Sequence, residues 1–429
     1  ILYVLFALFF LTSSLEAQVL KKVKKVYLFN GLLVLLKEDH TLPLVTLQVW
    51  IRVGSVYEKK DDSGVTHFIE HMLFKGTKKY GSGEIARIIE SHGGRINAGT
   101  GKDFTVIYVN VPKEALDIAI EIVANVLQNT TFPEEEIERE RLVILEEIKR
   151  HDDDPESLLW DMFNEKIYST TPYRYRVIGT TETIAKMTRE TLIHYYGTYY
   201  IPNNMTLVVV GDIKTKQLLP KIKTFFETLP RKELSPLPLL TEIPKENFVH
   251  REKRPVQQAY FLSGFLGPPV ESNDQYALDV LSVILGEGRN SRLYKNLREE
   301  KELVWGIGTS FLTQKGTGLF IISAQAEKDK IDQAADETYA ELTKLQKNGI
   351  TDKELTRAKT LIESSWLFSN ETYSGQAHTL GYAATIKDIK YAREYLRNIS
   401  AVKKEDIKYV VDTYFQGKKL NLIVFYPEK

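Results

Sequence analysis

The residues of this sequence best placed to do chemistry are His67-Phe68-Ile69-Glu70-His71. On a helix, positions i and i+4 lie on one face about one turn apart. Two imidazoles at that spacing can bind one cation, and Glu70, three residues after His67, can lie beside the same ion. With 8 His in 429 residues, an H-x-x-E-H arises by chance in roughly two of a hundred such chains. Ser63-Gly64 before the motif, and Val65, Phe68, Ile69, Met72 and Leu73 around it, predict a partly buried helix. Buried histidines need partners, and a metal supplies one. The chain has no cysteine. That excludes disulfides, thiolate zinc sites, iron–sulfur clusters and thiol nucleophiles, and leaves His and carboxylates to hold any metal.

A catalytic zinc typically takes three protein ligands and leaves the fourth position to water. The other histidines, His40, His92, His151, His194, His250 and His378, show no pairing, so a carboxylate is the better third ligand. The acidic stretch Pro133–Arg150 reads as a helix. At about 100° per residue, Ile137, Ile144 and Ile148 share a narrow arc that should face the core. Glu140 and Glu147 lie at the edge of that arc and are the inward candidates, with His151 also on the inward side near the helix end. Glu146 points to solvent, and Glu134, Glu135, Glu136 and Glu138 read as a solvated acidic face.

The elements around these residues mix strands and helices without strict alternation, which points to an α+β fold. Asn30-Gly31 between Tyr27–Phe29 and Leu32–Leu36 reads as a two-residue hairpin turn. Leu44–Val53 reads as a strand, and a helix starts near Asp62-Ser63. Further helices are expected at Ser82–His92 and Lys113–Asn129, with a strand near Thr105–Val111. Four of the fifteen prolines fall in Pro230–Pro244, which reads as a stiff linker over 231–244. The halves around it look duplicated. Leu47–Gly54 resembles Ala259–Gly267, and Phe132–Ile148 resembles Ile350–Trp366. Two homologous domains, 18–230 and 245–429, are the expected organisation.

With 57 Lys+Arg against 57 Asp+Glu, 43% hydrophobic and 27% charged residues, the chain reads as globular and lacks the basic surplus of a nucleic-acid binder. Ile1–Leu11 is apolar but shorter than the about 20 residues of a spanning helix. It reads as the core of a signal peptide, residues 1–17, with Leu15-Glu16-Ala17 at the cleavage site. The expectation is export to the periplasm with no stable transmembrane span after cleavage, or membrane anchoring if the segment stays.

H-x-x-E-H inverts the common zincin order and marks the inverzincins. The sequence resembles the pitrilysin, insulin-degrading enzyme and mitochondrial processing peptidase family, especially its short two-domain bacterial members. The likeness covers essentially the whole mature chain. It is strongest in SGVTHFIEHMLFKGT, GGRINAGTGKDFTVIYV, ERERLVILEEI and GRNSRLYKNLREEKELVWGI. The resemblance implies one Zn2+ per chain, held by His67, His71 and Glu147, with Glu70 as general base and Glu140 supporting the site from behind. It also makes Asn97, Ala98 and Thr100 part of an edge strand that binds the substrate backbone by strand addition. The implied activity is a zinc metalloendopeptidase acting on peptides or unfolded segments. Short members of the family pair, so a homodimer or a heterodimer with a related subunit is implied. The alternative is a non-catalytic structural or binding subunit of a similar assembly.

No register restores a metal set in the second half. Aligning Gly76 with Gly286 puts Ala277, Val280 and Leu281 opposite His67, Glu70 and His71, and slipping to Gly288 puts Asp279, Ser282 and Val283 there; neither restores a histidine, and Ala358 and Ser365 fall opposite Glu140 and Glu147. The resemblance lets this half supply an Arg and a Tyr that hold substrate. Arg298 matches the Arg, but the Tyr position holds Trp305, which can donate only through its indole N–H.

Overall fold

The structure is a computed structural model and describes residues 20, 22–234, 238, 240–244, 246–415 and 421–428. The expected signal peptide, 1–17, lies outside the described residues, as does part of the linker. By compactness the chain divides into two units. The first comprises Ile1–Ile148, Arg176–Pro238 and Trp366–Arg393, the second Lys149–Tyr175, Leu239–Ser365 and Glu394–Lys429. Each unit thus takes in a segment from the other side of the proline-rich stretch.

The strands are β1 (Lys24–Tyr27), β2 (Leu33–Glu38), β3 (Leu44–Ile51), β4 (Arg95–Thr100), β5 (Thr105–Pro112), β6 (Met205–Gly211), β7 (Val249–Arg254), β8 (Ala259–Gly267), β9 (Gly306–Leu312), β10 (Gly318–Ala326) and β11 (Asn421–Pro427). The helices that matter here are α1 (Val65–Met72), α2 (Glu84–Ser91), α3 (Leu116–Asn129), α4 (Glu134–Asp153), α5 (Pro155–Ile167), α6 (Asp274–Gly286), α7 (Ile331–Asn348), α8 (Asp352–Ser369) and α9 (Tyr373–Ile386).

In the first unit the sheet runs β1-β2-β6-β3-β5-β4. The β2–β6 pair is parallel and the others antiparallel. The central strand β3 reads Leu-Val-Thr-Leu-Gln-Val-Trp-Ile and is buried on both faces after its first residue. Alternation sends Gln48 and Trp50 to one face and Leu47 and Val49 to the other. α9 covers the Trp50 face and α3 the opposite one. Trp50 is wholly buried beside Ala377, Leu380, Ala383 and Ala384 of α9. A Cβ on Gly381 would come within 2.0 Å of the Trp50 indole nitrogen, so only glycine lets α9 lie flat on the ring. The indole N–H donates to Gln48 Oε1 at 2.9 Å, and Gln48 Nε2 donates to the Ser374 carbonyl at 3.2 Å. Removing such a ring from a core costs about 3–5 kcal/mol. That is how α9, from beyond residue 365, is tied to this sheet.

In the second unit the order is β7-β11-β8-β10-β9, with β7–β11 parallel and the rest antiparallel. Without β1, the two sheets have the same order and the same strand senses. β3 and β8, the strands matched by sequence, occupy the same place, and the matched acidic helices are α4 and α8. Here α5 covers β8 and β11, as α9 covers β3 and β6. Gly264 admits the Phe163 ring, which a Cβ would meet at 3.2 Å. The fold is α+β with two sheets packed by helices, as expected.

Three local expectations need correction. The β1–β2 connection is wider than two residues: Tyr27 pairs Leu33, and Leu28 N–H donates to Leu32 O at 2.9 Å. Asn30 is buried there because its amide donates to the carbonyls of Phe226 and Leu229. Neither Asp62 nor Ser63 caps α1. Asp62 ends a 3-10 turn, and the N-cap is Gly64 at φ +91° with no capping side chain. Glu136 is buried, unlike exposed Glu134, Glu135 and Glu138. It adjoins the Ile137 arc, where Ser82 Oγ donates to it at 2.9 Å and Arg139 Nη1 at 2.6 Å.

Candidate metal centre

α1 is short and two-faced. Val65, Thr66, Phe68, Ile69 and Met72 are buried, while His67, Glu70 and His71 lie on the half-buried side. α4 presents Glu140 and Glu147 towards them, with Ile137, Ile144 and Ile148 in the core as helical periodicity requires. Glu146 is exposed.

His67 Nε2 lies 3.9 Å and His71 Nε2 3.6 Å from Glu147 Oε2. One ligating atom from each of the three residues falls within 4.8 Å of the others, the sole such group among the described residues. The two rings stand edge to face, 4.7 Å between centroids. Glu140 is buried and splits its carboxylate: Oε2 takes His71 Nδ1 at 3.0 Å and Oε1 takes Lys75 Nζ at 2.6 Å. A carboxylate accepts only, so His71 carries a proton on Nδ1 towards Glu140 and turns Nε2 towards Glu147. His67 differs, because its Nδ1 is buried without any hydrogen-bond partner.

Electrostatics separates the two histidines further. Burial, helped by His71, pushes His67 down to about 4, so it is neutral at pH 7 with a lone pair to give. Burial also opposes charge on His71, but Glu147 and Glu140 outweigh it and raise its pKa. Burial lifts Glu70 above the ordinary carboxylate range, against opposing interactions with Thr100 and His71. A raised carboxyl pKa suits a group that must take up and release a proton near neutrality.

β4 is the open edge of its sheet and packs on α1. Asn97 is exposed and Ala98 buried, and the Ala98 N–H is taken by Asn97 Oδ1 at 2.9 Å. Thus His67, Glu70, His71, Glu140, Glu147, Asn97, Ala98 and Thr100 all belong to the first unit. Arg298 and Trp305 belong to the second. Arg298 is half-buried on a π-helix, Tyr294–Glu300. Trp305 is 46% exposed, with its backbone N–H on Gln325 O. His151 is engaged with Asp161 at 2.7 Å. Two residues escaped the sequence reading. Lys75 lies beyond the end of α1 at Met72, so helical spacing does not place it. Glu58 approaches α1 from outside the helix and left no periodic signal.

Residues 33–181 match the family model described as insulinase, peptidase family M16, and residues 186–362 match that of the peptidase M16 inactive domain. A Rickettsia felis protein described as an uncharacterized zinc protease is 30% identical over 398 residues, 92% of this chain and 95% of its own. The chain belongs to peptidase family M16. Among its M16 relatives, an Arabidopsis thaliana protein described as "Probable mitochondrial-processing peptidase subunit beta" is 28% identical over 418 residues, 93% of this chain and 77% of that one. The crystal structure of a protease from Helicobacter pylori superimposes with a TM-score of 0.90 at 27% identity, covering 95% of this chain and 100% of that chain.

The donor set fits the zinc named for the M16 relatives. Two imidazole nitrogens and one carboxylate oxygen converge, a typical three-ligand set for this ion. Their separations of 3.6 and 3.9 Å are too long for hydrogen bonds to one another. Glu140 behind His71 is the carboxylate–histidine arrangement that orients a metal-bound imidazole. In the second unit, α6 carries buried Ala277, Val280 and Leu281 and no histidine.

Proposed function

We propose that this chain is an exported zinc metalloendopeptidase with one Zn2+ per chain, held by His67, His71 and Glu147. The observation that carries the reading is the convergence of those three donors beside Glu70, at the open edge of a sheet. Zinc bound there would polarise a peptide carbonyl and make water a better nucleophile near neutral pH.

The remaining work falls to the chain's own residues. Glu70 accepts the proton of the attacking water and returns it to the leaving amine, serving as base and then as acid. Glu140 keeps the His71 ring in one orientation and one tautomer, and Lys75 holds the other oxygen of Glu140. β4 offers backbone groups at Asn97, Ala98 and Thr100 to an extended peptide, which gives binding with little dependence on side chains. The Asn97 amide must swing off the Ala98 N–H for that pairing to form. Arg298 and Trp305 are proposed to help hold substrate from the second unit. The chain is proposed to pair with a copy of itself or with a related subunit, as the resemblance to processing peptidases implies.

Elemental analysis with a peptide-cleavage assay tests the reading. The expected result is one zinc per chain and cleavage that stops on chelation and returns with zinc. A chain without zinc, or one that carries zinc and cleaves no peptide even with a partner, would favour the non-catalytic subunit.

A further inference from the structure

His71 is held through its own ring by Glu140, whereas the His67 ring has no hydrogen bond to hold it. Its position must therefore come from the backbone of α1. That backbone begins under unusual constraint. Gly64, the N-cap, lies in the left-handed region, and a Cβ there would meet the Ile178 carbonyl at 2.8 Å and Gly179 Cα at 2.9 Å. No side chain fits at the position that normally caps a helix, yet the first N–H groups still need acceptors.

Glu58 supplies them. It is buried and follows the 3-10 turn Ser55–Tyr57. Its Oε2 accepts from Gly64 N–H at 2.7 Å. Its Oε1 accepts from Thr66 N–H at 2.9 Å, and also from the Thr66 hydroxyl. The three groups hydrogen-bonded to this carboxylate are all donors, and the carboxyl lies at the positive end of the helix. Thr66 immediately precedes His67.

We infer that Glu58 is a positioning residue for the metal centre: it clamps the first turn of α1 and so fixes His67, as Glu140 fixes His71. The inference rests on the proposed reading of His67 and His71 as ligands. Glu58→Gln keeps the shape but turns an amide N–H2 towards donors, so the first turn must shift. The test measures zinc affinity by chelator competition, the visible spectrum of the Co2+-loaded protein, and the melting temperature of the metal-free protein. Glu58→Gln should weaken zinc binding about 10- to 100-fold, the usual effect of losing a ligand's support, and should alter the cobalt spectrum. Thr66→Val, which removes only the hydroxyl donor, should move both in the same direction by a smaller factor.

A lowered melting temperature with wild-type zinc affinity and cobalt spectrum would overturn the inference and leave Glu58 a purely structural group. If Glu58→Gln does not fold, Thr66→Val decides the matter, and unchanged zinc affinity there is equally fatal. A wild-type chain that binds no zinc would instead remove the proposed function itself.

Discussion

The two units share a strand order, yet the place of the metal centre in one is solid core in the other. On α1, His67, Glu70 and His71 are half-buried, and the two histidines bring ligating nitrogens within 4.8 Å of each other and of a Glu147 oxygen. On α6, Ala277, Val280 and Leu281 are buried with most of their neighbours from Gln275 to Gly286, Asp279 being half-buried. In the second unit Glu242 accepts from the backbone and hydroxyl groups of Ser169, Thr170 and Thr171, and Glu354 is clasped by Arg292. Burial leaves a carboxyl raised in both units, Glu70 in the first and Asp279 of α6, to about 7, in the second. The difference between the units lies in the histidines: His67 and His71 have no counterpart on α6.

The sharpest way to break this comparison is at Glu70. Glu70→Gln should keep zinc and lower peptide hydrolysis by about 10²–10⁴-fold, the usual worth of a general base. Metal loss, or near-normal turnover, would show that α1 was misread.

The next largest effect concerns what the second unit adds. Trp305 lacks the hydroxyl that the resemblance leads one to expect, and lost transition-state donors cost about 10²–10³ in rate. Trp305→Tyr, or addition of a related subunit carrying the tyrosine, should raise kcat towards that factor. A monomer already fully active and indifferent to Trp305→Tyr would mean that Trp305 takes no part in catalysis.

Glu140→Gln should act more gently, weakening zinc binding by about 10- to 100-fold while Glu70 stays in place. An unchanged zinc affinity would mean that the 3.0 Å contact to His71 orients nothing.

The smallest effect lies in the second unit. Burial opposes the charge of Glu242, but Ser169 and Thr171 outweigh it and hold the carboxyl down to about 2. A depressed carboxyl pKa stabilises the fold above about pH 4.5, and the gain is lost as pH falls towards 2. Glu242→Gln should therefore cost about 2 kcal/mol at neutral pH, and its melting curve should approach that of the wild type between pH 4.5 and 2. A gap that does not narrow with acid would contradict the assignment.

What the sequence made legible follows from the range over which each signal acts. The pair His67 and His71, and the inward turn of Glu147 and Glu140, are helical spacings and could be read directly. The duplication showed because β3 with β8, and α4 with α8, keep similar patterns in equivalent places. The seating of α9 on Trp50 depends on Gly381 meeting an indole more than three hundred residues away, and no local pattern carries that. Glu58 was invisible for a related reason: it caps α1 from outside, at a position where Gly64 forbids a normal cap. The buried Glu136 was misjudged because its acceptor role depends on Ser82, which only the fold brings near.

The central claim is that His67, His71 and Glu147 of the first unit hold one zinc and that the second unit holds none. Anomalous diffraction on either side of the zinc absorption edge tests it most directly. The account predicts one zinc peak per chain, about 2.0–2.2 Å from His67 Nε2, His71 Nε2 and a Glu147 oxygen, and no peak beside α6. A peak that leaves Glu147 more than about 5 Å away, a second peak in the second unit, or none at all in zinc-soaked crystals would contradict it.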